Sequence, residues 1–414
     1  MSPKKGYKLV PWLFGKEIEI PEEWELKKVC DLAKINPEQI TEQYDHNQIN
    51  YIDISSIENF QITKLDTYKL NERPSRAQRI VKQDDIIIST VRPNLKSFSL
   101  VNFDKPNIIC STGFAVIRPK ISNDINFLFN YFKSYLFEVN FFRKMEGMAY
   151  PAITSSAVSN SFILVSNEEK EREKIGKILS NVDSLIDSTS KIIENSKSLK
   201  TGLMQKLLTR GISHTKFKKV PWLFGKEIEI PEDWEVKELE TLVDILDSKR
   251  IPLEVSERKK RIGKYPYYGA SGIIDYVNDY IFDERILCLS EDGENLKSRV
   301  LPIAFTVEEK CWVNNHAHVL KMKKNVEHYF IEKVLNHISL LKYVASTAIP
   351  KLNQRDMCTI PILLPPLPEQ QKIASILSNI DAQIDSQTQY KDKLERLKKS
   401  LMQKLLTGEV RVAI

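Results

Sequence analysis

Several polar clusters in this chain have residue types that could contact nucleic acid. The run TVRPNLKSFS, from Thr90 to Ser99, brings Arg92, Asn94, Lys96 and Ser97 together after a predicted strand. A long arginine or lysine suits guanine edges and phosphates, and an asparagine suits adenine. This cluster is therefore a candidate DNA-contacting site, although a solvated loop would have the same composition.

Further clusters of this kind occur along the chain. EDGENLKSRV and NNHAH contribute the candidates Lys297, Arg299, Asn314, Asn315 and His316. RPSRAQR contributes Arg73, Arg76 and Arg79, and SERKKR lies between positions 256 and 261. Such basic groups could hold phosphates in a salt-dependent way. A solvated charged surface is an equally good interpretation of these two basic clusters.

Signatures of catalysis are scarce. The chain has no GxxxxGK[ST] phosphate loop, no GxSxG or HExxH motif and no zinc-type Cys/His spacing. The Asn/Asp-Pro-Pro-aromatic motif of an amino-methyltransferase is also absent. His316 and His318 would share one face of a strand, but no third metal ligand is evident nearby. Glu25 and Lys27, like Glu235 and Lys237, form half of a nuclease motif without an acidic partner. We therefore predict neither catalytic nor metal-binding residues.

Bulk composition excludes some classes of protein. Of 414 residues, 42% are hydrophobic and 28% are charged, and the net charge is +6. This mild basic excess permits a nucleic-acid partner without requiring one. The chain contains no run of eighteen apolar residues, so we predict no membrane span. The N-terminus lacks the apolar core of a signal peptide. Five scattered cysteines fit reduced thiols. We therefore expect a cytoplasmic protein with no membrane partner.

Internal repeats organise the chain. VPWLFGKEIEIPE begins at Val10 and again at Val220, and KIGKILSNVDSLIDS at Lys174 corresponds to KIASILSNIDAQIDS at Lys372. The blocks between the repeats, 30–160 and 240–358, have little sequence in common. We interpret the chain as one repeated framework that holds two different recognition blocks, which we call readers. Candidate anchors between each reader and the framework are Pro11, Trp12, Phe14, Trp24, Pro221, Trp222, Phe224 and Trp234.

The second repeat predicts two long helices. Apolar residues alternate at three- and four-residue spacing over about four heptads, which favours a coiled-coil seam. Forty helical residues would span about 60 Å. The predicted seam residues are Ile175, Ile178, Val182, Leu185, Ile192, Leu199, Leu203, Ile373, Ile376, Ile380, Leu394, Leu397 and Leu401. The matched repeats favour an antiparallel pair with pseudo-two-fold symmetry over two helices that pack separately on their own blocks.

The predicted fold class is α+β with mixed α/β blocks. Turn-linked strands, a helix and a last strand lead into each long helix. Two globular domains separated by the two helices would occupy residues 1–166 and 211–364. The helices would occupy 167–210 and 365–414, the latter with the C-terminal tail.

Sequence segments throughout the chain resemble those of the specificity subunit of type I restriction–modification systems. They include GKEIEIPEDWEVKEL, DDIIISTVRPNLKSFSLV, STGFAVIRP, VNNHAHVLK and PPLPEQQKIASILSNIDAQID. The resemblance covers the whole chain, and its two-copy arrangement is more specific than any single phrase.

The resemblance implies a DNA-binding subunit without chemistry of its own. Each variable block would be a target recognition domain for one half of a bipartite site in double-stranded DNA, and the helices would set the distance between the halves. The helices would also dock two methyltransferase (M) subunits, and restriction (R) subunits would join the complex. S-adenosylmethionine, ATP and Mg²⁺ would be bound by those partners, and no cofactor by this chain. A catalytic protein with an unrecognised site and a coiled-coil scaffold remain alternative hypotheses.

Overall fold

A computed structural model gives the architecture of the protein and describes residues 3–12, 15–145, 151–345 and 348–413. The chain forms two compact units. Unit 1 consists of Met1–Ser190 with Gln389–Ile414, and unit 2 consists of Lys191–Thr388. The boundary crosses both long helices, so each unit contains one half of each helix. The helices are therefore not separate from the globular parts.

Unit 1 combines strands with short helices. Its strands are β1 Tyr7–Pro11, β2 Glu17–Pro21, β3 Trp24–Lys28, β4 Ala33–Ile35, β5 Gln48–Ile52, β6 Ile57–Glu58, β7 Gln61–Ile62, β8 Asp66–Lys69, β9 Ala77–Val81, β10 Ile86–Ser89, β11 Phe98–Leu100, β12 Ile108–Ser111, β13 Phe114–Pro119 and β14 Phe162–Ser166. Its helices are α1 Val29–Leu32, α2 Ile125–Phe132, α3 Tyr135–Phe142, α4 Ser155–Ser159 and the first part of α5 Glu169–Arg210.

Two four-stranded sheets form the body of unit 1. The first has the order β11-β10-β13-β4, and the second has the order β8-β5-β12-β9. Strand pairing is antiparallel except between β12 and β5. All four residues of β10, with the sequence IIIS, are buried. A strand covered on both faces carries such a continuous apolar run instead of an alternating pattern.

Unit 2 has a similar series of elements. Its strands are β15 Phe217–Pro221, β16 Glu227–Pro231, β17 Glu235–Glu238, β18 Val243–Ile245, β19 Ile262–Gly269, β20 Gly272–Val277, β21 Ile286–Ser290, β22 Ala304–Val307, β23 Trp312–Val313, β24 Ala317–Met322, β25 Val344–Ala345, β26 Lys351–Leu352 and β27 Pro361–Leu364. Its helices are α6 Leu239–Leu242, α7 Val255–Lys260, α8 Asn295–Ser298, α9 His328–His337, α10 Gln354–Cys358, the second part of α5 and the first part of α11 Leu367–Leu405.

The first sheets of the two units have the same topology. The order β22-β21-β24-β18 in unit 2 corresponds strand by strand to β11-β10-β13-β4 in unit 1. The hairpins β1-β2 and β15-β16 also correspond, as do the pairs β14-β3 and β27-β17. The second sheets differ, because unit 2 has the three-stranded order β20-β19-β23. The two blocks therefore have the same first sheet and flanking strand pairs, although their sequences have little in common.

A buried tryptophan joins each unit to the start of a long helix. In unit 1, Trp24 is fully buried and its Nε1 donates to Glu171 Oε2 at 3.1 Å. In unit 2, Trp234 is equally buried and its Nε1 donates to Glu369 Oε2 at 2.9 Å. Both carboxylates lie in the first turn of their helix. These two tryptophans therefore fit the predicted role of anchors.

The other predicted anchors behave differently. Trp12 and Trp222 are half-buried at the edges of the cores. Phe224 is more than half exposed, so its prediction as an anchor is wrong. Its backbone has a φ of 58°, in the left-handed region that residues with a bulky side chain rarely adopt. Phe14 lies outside the described residues. Pro11 and Pro221 are exposed at hairpin ends.

Within each unit the two helices run antiparallel. In unit 1, Glu171 near the start of α5 pairs with Arg411 beyond the end of α11, and Asp183 pairs with Lys398. In unit 2, Glu369 near the start of α11 pairs with His214 beyond the end of α5. Asp381 of the same unit pairs with Lys200.

The predicted seam is only partly buried. Ile175, Val182, Ile373, Ile380 and Leu394 are buried, and Ile178, Leu203, Ile376 and Leu401 are partly buried against the cores. The prediction is wrong for Leu185, Ile192, Leu199 and Leu397, which are close to half exposed. Apolar residues that the heptad pattern did not select are buried instead, namely Leu179, Leu207, Leu208, Leu377, Leu405 and Leu406. The reason is that the helix ends pack on the globular parts and need a wider apolar face than a two-helix seam.

Candidate nucleic-acid interface

The loop after β10 presents the first group of candidate residues. Arg92 and Lys96 both have left-handed backbone conformations, with φ of 47° and 55°, on either side of a short turn. Long side chains rarely occupy this region, and such strain is often found at functional sites. Asn94 is exposed, Ser97 is half-buried, and Lys96 forms an ion pair with Glu138. The loop therefore displays Asn94 and holds Lys96 close to α3.

The loop after β21 has the corresponding place in unit 2. The four residues NLKS occur in both loops, at positions 94–97 and 295–298. Lys297 is exposed. Arg299 instead donates from its two terminal nitrogens to the carbonyl oxygens of Leu335 and Ile338, at 3.3 and 3.0 Å. Burial also lowers the pKa of Arg299. Arg299 therefore closes the C-terminal end of α9, which reduces its availability for DNA.

The basic cluster of unit 1 is divided between surface and interior. Arg76 is exposed, and Arg73 donates to the carbonyl oxygen of Leu70 at 2.8 Å. Arg73 also lines an open surface cavity of about 650 Å³. Arg79 lies on β9, and burial lowers the pKa of its guanidinium. One terminal nitrogen of Arg79 is buried without a hydrogen-bond partner among the described residues. The three arginines therefore do not form one phosphate-binding group.

The NNHAH segment forms a turn before β24. Asn314 is buried, and its Oδ1 accepts a hydrogen bond from the backbone N–H of His316 at 2.8 Å. His316 is half exposed with its Nδ1 2.8 Å from Asp292 Oδ2, and Asn315 is exposed. Asn314 therefore shapes the turn, and its two neighbours are the accessible residues.

Two groups of acidic residues and histidine have the composition of metal sites. Asp247, Glu291 and His318 form the first, and Arg250 lies 2.7 Å from Glu291 Oε2 and 3.3 Å from Asp247 Oδ2. His318 has its Nδ1 2.6 Å from Asp247 and its Nε2 2.8 Å from the carbonyl oxygen of Leu352. Arg250 contacts both carboxylates, and both ring nitrogens of His318 already contact oxygen atoms. This group is therefore suited to internal ion pairing.

The second group joins His214, Asp233 and Glu369. Glu369 Oε1 accepts from the backbone N–H of Ile212 at 2.8 Å, and its Oε2 accepts from Trp234. His214 Nε2 lies 2.8 Å from Oε1 of the same carboxylate. The carboxylate is thus already surrounded by donors, and the group serves to join α11 to the end of α5.

The second sheet of unit 2 was not predicted as a site. Its strand β20 exposes apolar side chains beside the basic segment 256–261. Only the basic segment was visible as a candidate in the sequence. The sequence analysis did not select the exposed residues Ile273 and Ile274, because nothing local in the sequence shows that β20 is an edge strand.

The comparisons with known proteins decide the family. The type I restriction modification DNA specificity domain matches residues 21–196 and 231–396. The chain belongs to this family. It is 27% identical over 424 residues to the type I restriction enzyme MjaVIII specificity subunit of Methanocaldococcus jannaschii, with 95% of each chain covered.

Solved structures of specificity subunits share the fold. The crystal structure of a type I restriction–modification S subunit from M. genitalium has a TM-score of 0.62 at 15% identity, covering 92% of this chain and 96% of that one. A chain from a structure of complex assembly and conformational transition of the type I system has a TM-score of 0.51 at 19% identity. It covers 94% of this chain and 99% of that one.

The specificity subunit is not an enzyme, since specificity subunits of these systems are the DNA-recognising and non-catalytic components. Its two globular parts are DNA target recognition domains, as the two matched segments indicate. No helix in the described part of the chain is both long and apolar enough to cross a membrane.

Proposed function

We propose that the two recognition domains, residues 1–166 and 211–364, each read one half of a bipartite target in double-stranded DNA. The observation that carries this proposal is the combination of one shared framework with two different second sheets. Two domains that recognised the same half-site would have the same second sheet as well as the same first sheet. Two readers of different half-sites need the same support and different contacts.

The antiparallel helices set the spacing between the half-sites in this proposal. A helix has a rise of about 1.5 Å per residue, so its length defines a distance that the globular parts alone would not. The matched ion pairs Asp183–Lys398 and Asp381–Lys200 support a defined helix register. A defined register is what a fixed half-site spacing requires.

The helices also dock two methyltransferase subunits. Exposed apolar side chains recur at seven-residue spacing on α5 at Leu185, Ile192 and Leu199, and on α11 at Tyr390 and Leu397. Apolar stripes of this kind fit a helical partner. The repeat of the stripe supports one such partner on each helix.

The chemistry then belongs to the partner subunits. The methyltransferase subunits bind S-adenosylmethionine and methylate adenine, and restriction subunits use ATP and Mg²⁺. This chain supplies DNA contacts instead. The accessible candidates are Arg73, Arg76, Arg92, Asn94, Lys96, Ser97, Lys297, Asn315 and His316, which lie on the loops described above.

Selection from a random duplex library tests the proposal. The purified chain, reconstituted with its methyltransferase subunits, is expected to enrich two short defined sequences separated by an undefined spacer of fixed length. A single continuous motif would contradict two independent readers. Methyl transfer or cleavage by the chain alone would favour a catalytic protein, and no DNA selectivity with the partners present would favour a scaffold.

A further inference from the structure

The second sheet is where the two recognition domains differ most. Unit 1 has the four strands β8-β5-β12-β9 there, and unit 2 has the three strands β20-β19-β23 next to helix α7. The first sheets have corresponding strand orders. If the proposed bipartite function is right, contacts specific to one half-site belong to the part that differs.

Strand β20 carries exposed apolar side chains. Ile273 is 46% exposed, Ile274 is 53% exposed and Tyr276 is 49% exposed. Among the described strands, β20 pairs only with β19, so its other edge has no strand partner. An exposed apolar edge strand invites association with another molecule. This edge is therefore accessible to a binding partner.

Unpaired positive charge lies beside this strand. Five basic and two acidic residues occur between positions 254 and 264. Lys259, Lys260 and Lys264 are exposed. No acidic side chain of the described residues lies within 4.0 Å of their ammonium groups. This charge fits a polyanion better than an apolar protein surface.

Arg258 fixes the basic segment to the apolar strand. Its Nε donates to Asp275 Oδ2 on β20 at 3.0 Å, and its terminal nitrogen donates to the carbonyl oxygen of Leu253 at 2.8 Å. The guanidinium lies 5.1 Å from the ring centre of Tyr267 on β19. Helix α7 and the two strands are thus held as one surface.

We propose that this surface contacts the DNA duplex in the second half-site. We name it the β20 surface and define it as Lys259, Lys260, Lys264, Ile273, Ile274 and Tyr276. The lysines pair with phosphates, and the isoleucines contact base edges such as thymine methyl groups. The major groove of B-DNA admits a two-stranded ribbon of this kind.

The test of base reading is a double variant, Ile273→Ser with Ile274→Ser, in the full chain assembled with its methyltransferase subunits. The matched control is Leu341→Ser, which changes a side chain of similar exposure in the same unit. Library selection is expected to show that the base preference falls about tenfold at one or more positions of the second half-site, because the apolar contact to the base edge is removed. The first half-site and the control should keep their preferences.

The test of phosphate binding is Lys259→Ala with Lys260→Ala, with Lys324→Ala as the control. The slope of log affinity against log salt concentration is expected to fall by about 0.9 for each phosphate that the variant no longer neutralises. The control should leave this slope unchanged. Thermal unfolding midpoints close to that of the wild type would show that the exposed substitutions leave the fold intact.

Two results would overturn this inference alone. One is a wild-type complex that selects a two-part motif while both double variants select the same motif with the same salt dependence. The other is loss of methyltransferase assembly with DNA selectivity retained, which would make the β20 surface a protein-docking site. A wild-type complex that selects no two-part motif would overturn the proposed function itself.

Discussion

At the residue scale, each unit contains an aspartate that pairs with two lysines, and the two units differ in the charges around one of those lysines. In unit 1, Asp183 lies between Lys398 and Lys133, whose Nζ is 2.6 Å from Asp183 Oδ2. In unit 2, Asp381 lies between Lys200 and Lys333. Each group connects a recognition domain to both long helices.

The surroundings of the two domain lysines differ. Burial lowers the pKa of Lys333, but the charge and hydrogen bond of the adjacent Glu332, together with Tyr329, outweigh burial, and the pKa is raised. Lys133 has no such neighbour, because Phe132 is the preceding residue. Burial and the positive charge of Lys398 lower the pKa of Lys133 to about 8, despite the attraction of Asp183. Unit 1 therefore contains a lysine that titrates at mildly alkaline pH.

This lysine predicts a pH dependence of stability. The pKa of a lysine in the unfolded chain is about 10.4. Between about pH 8 and that value the unfolded state binds more protons, so the free energy of unfolding rises with pH, by at most about 1.4 kcal/mol per pH unit. Lys133→Met keeps the length of the side chain and should remove this rise.

Denaturant unfolding of unit 1, followed at pH 8 and pH 10, measures the effect. Lys177→Met on the exposed face of α5 is the control and should keep the wild-type dependence. A Lys133→Met variant with the same rise as the wild type would show that another group is responsible.

At the element scale, the long helices support the recognition domains, and in the proposed function they also set the spacing between the half-sites. Their ends are buried against the recognition domains, and exposed apolar residues lie between the ends. The heptad pattern alone predicted a uniform seam. The observed division explains why α5 and α11 carry apolar residues that the two-helix contact does not use.

A matched change of helix length tests the spacing role. Insertion of one helical turn at corresponding positions of both helices, after Ser190 and after Thr388, keeps the antiparallel pairs in register. One turn is about 5.4 Å, or roughly one and a half base pairs of DNA. Library selection should give a spacer longer by one or two base pairs and unchanged half-sites.

Insertion in α5 alone is the control. It would shift Lys200 relative to Asp381, so a lower unfolding midpoint is expected. A spacer of unchanged length after the matched insertion would contradict the role of the helices as the determinant of spacing.

At the scale of the whole molecule, the protein is one framework used twice. The repeated segments supply the hairpins, the tryptophan anchors and the long helices, and the unrepeated segments supply the second sheets. This separation lets a recognition domain change its contacts without changing its support.

Exchange of residues 30–160 for the corresponding block of another specificity subunit tests this independence. The expected motif has one new half-site, one unchanged half-site and the original spacer. The reciprocal exchange of residues 240–358 is the matched control and should change the other half. Simultaneous change of both halves by either exchange would refute independent readers.

The framework was predictable because the sequence repeats it. VPWLFGKEIEIPE and the helical segments occur twice, which indicated two related domains, two long helices and their pairing. Trp24 and Trp234 could be recognised as anchors for the same reason. The absence of catalytic motifs, together with the resemblance of whole phrases, predicted a specificity subunit.

Only the tertiary structure decided which side chains are accessible. Arg299 and Asn314 looked like DNA contacts, but Arg299 binds the end of a distant helix and Asn314 folds back on its own turn. Leu185 was predicted as a buried seam residue, but it is close to half exposed, and the exposure of Ile273 follows from the position of β20 at the edge of its sheet. Residue type and local spacing determine which elements form. Exposure depends on which elements pack together, and those contacts join residues distant in the chain.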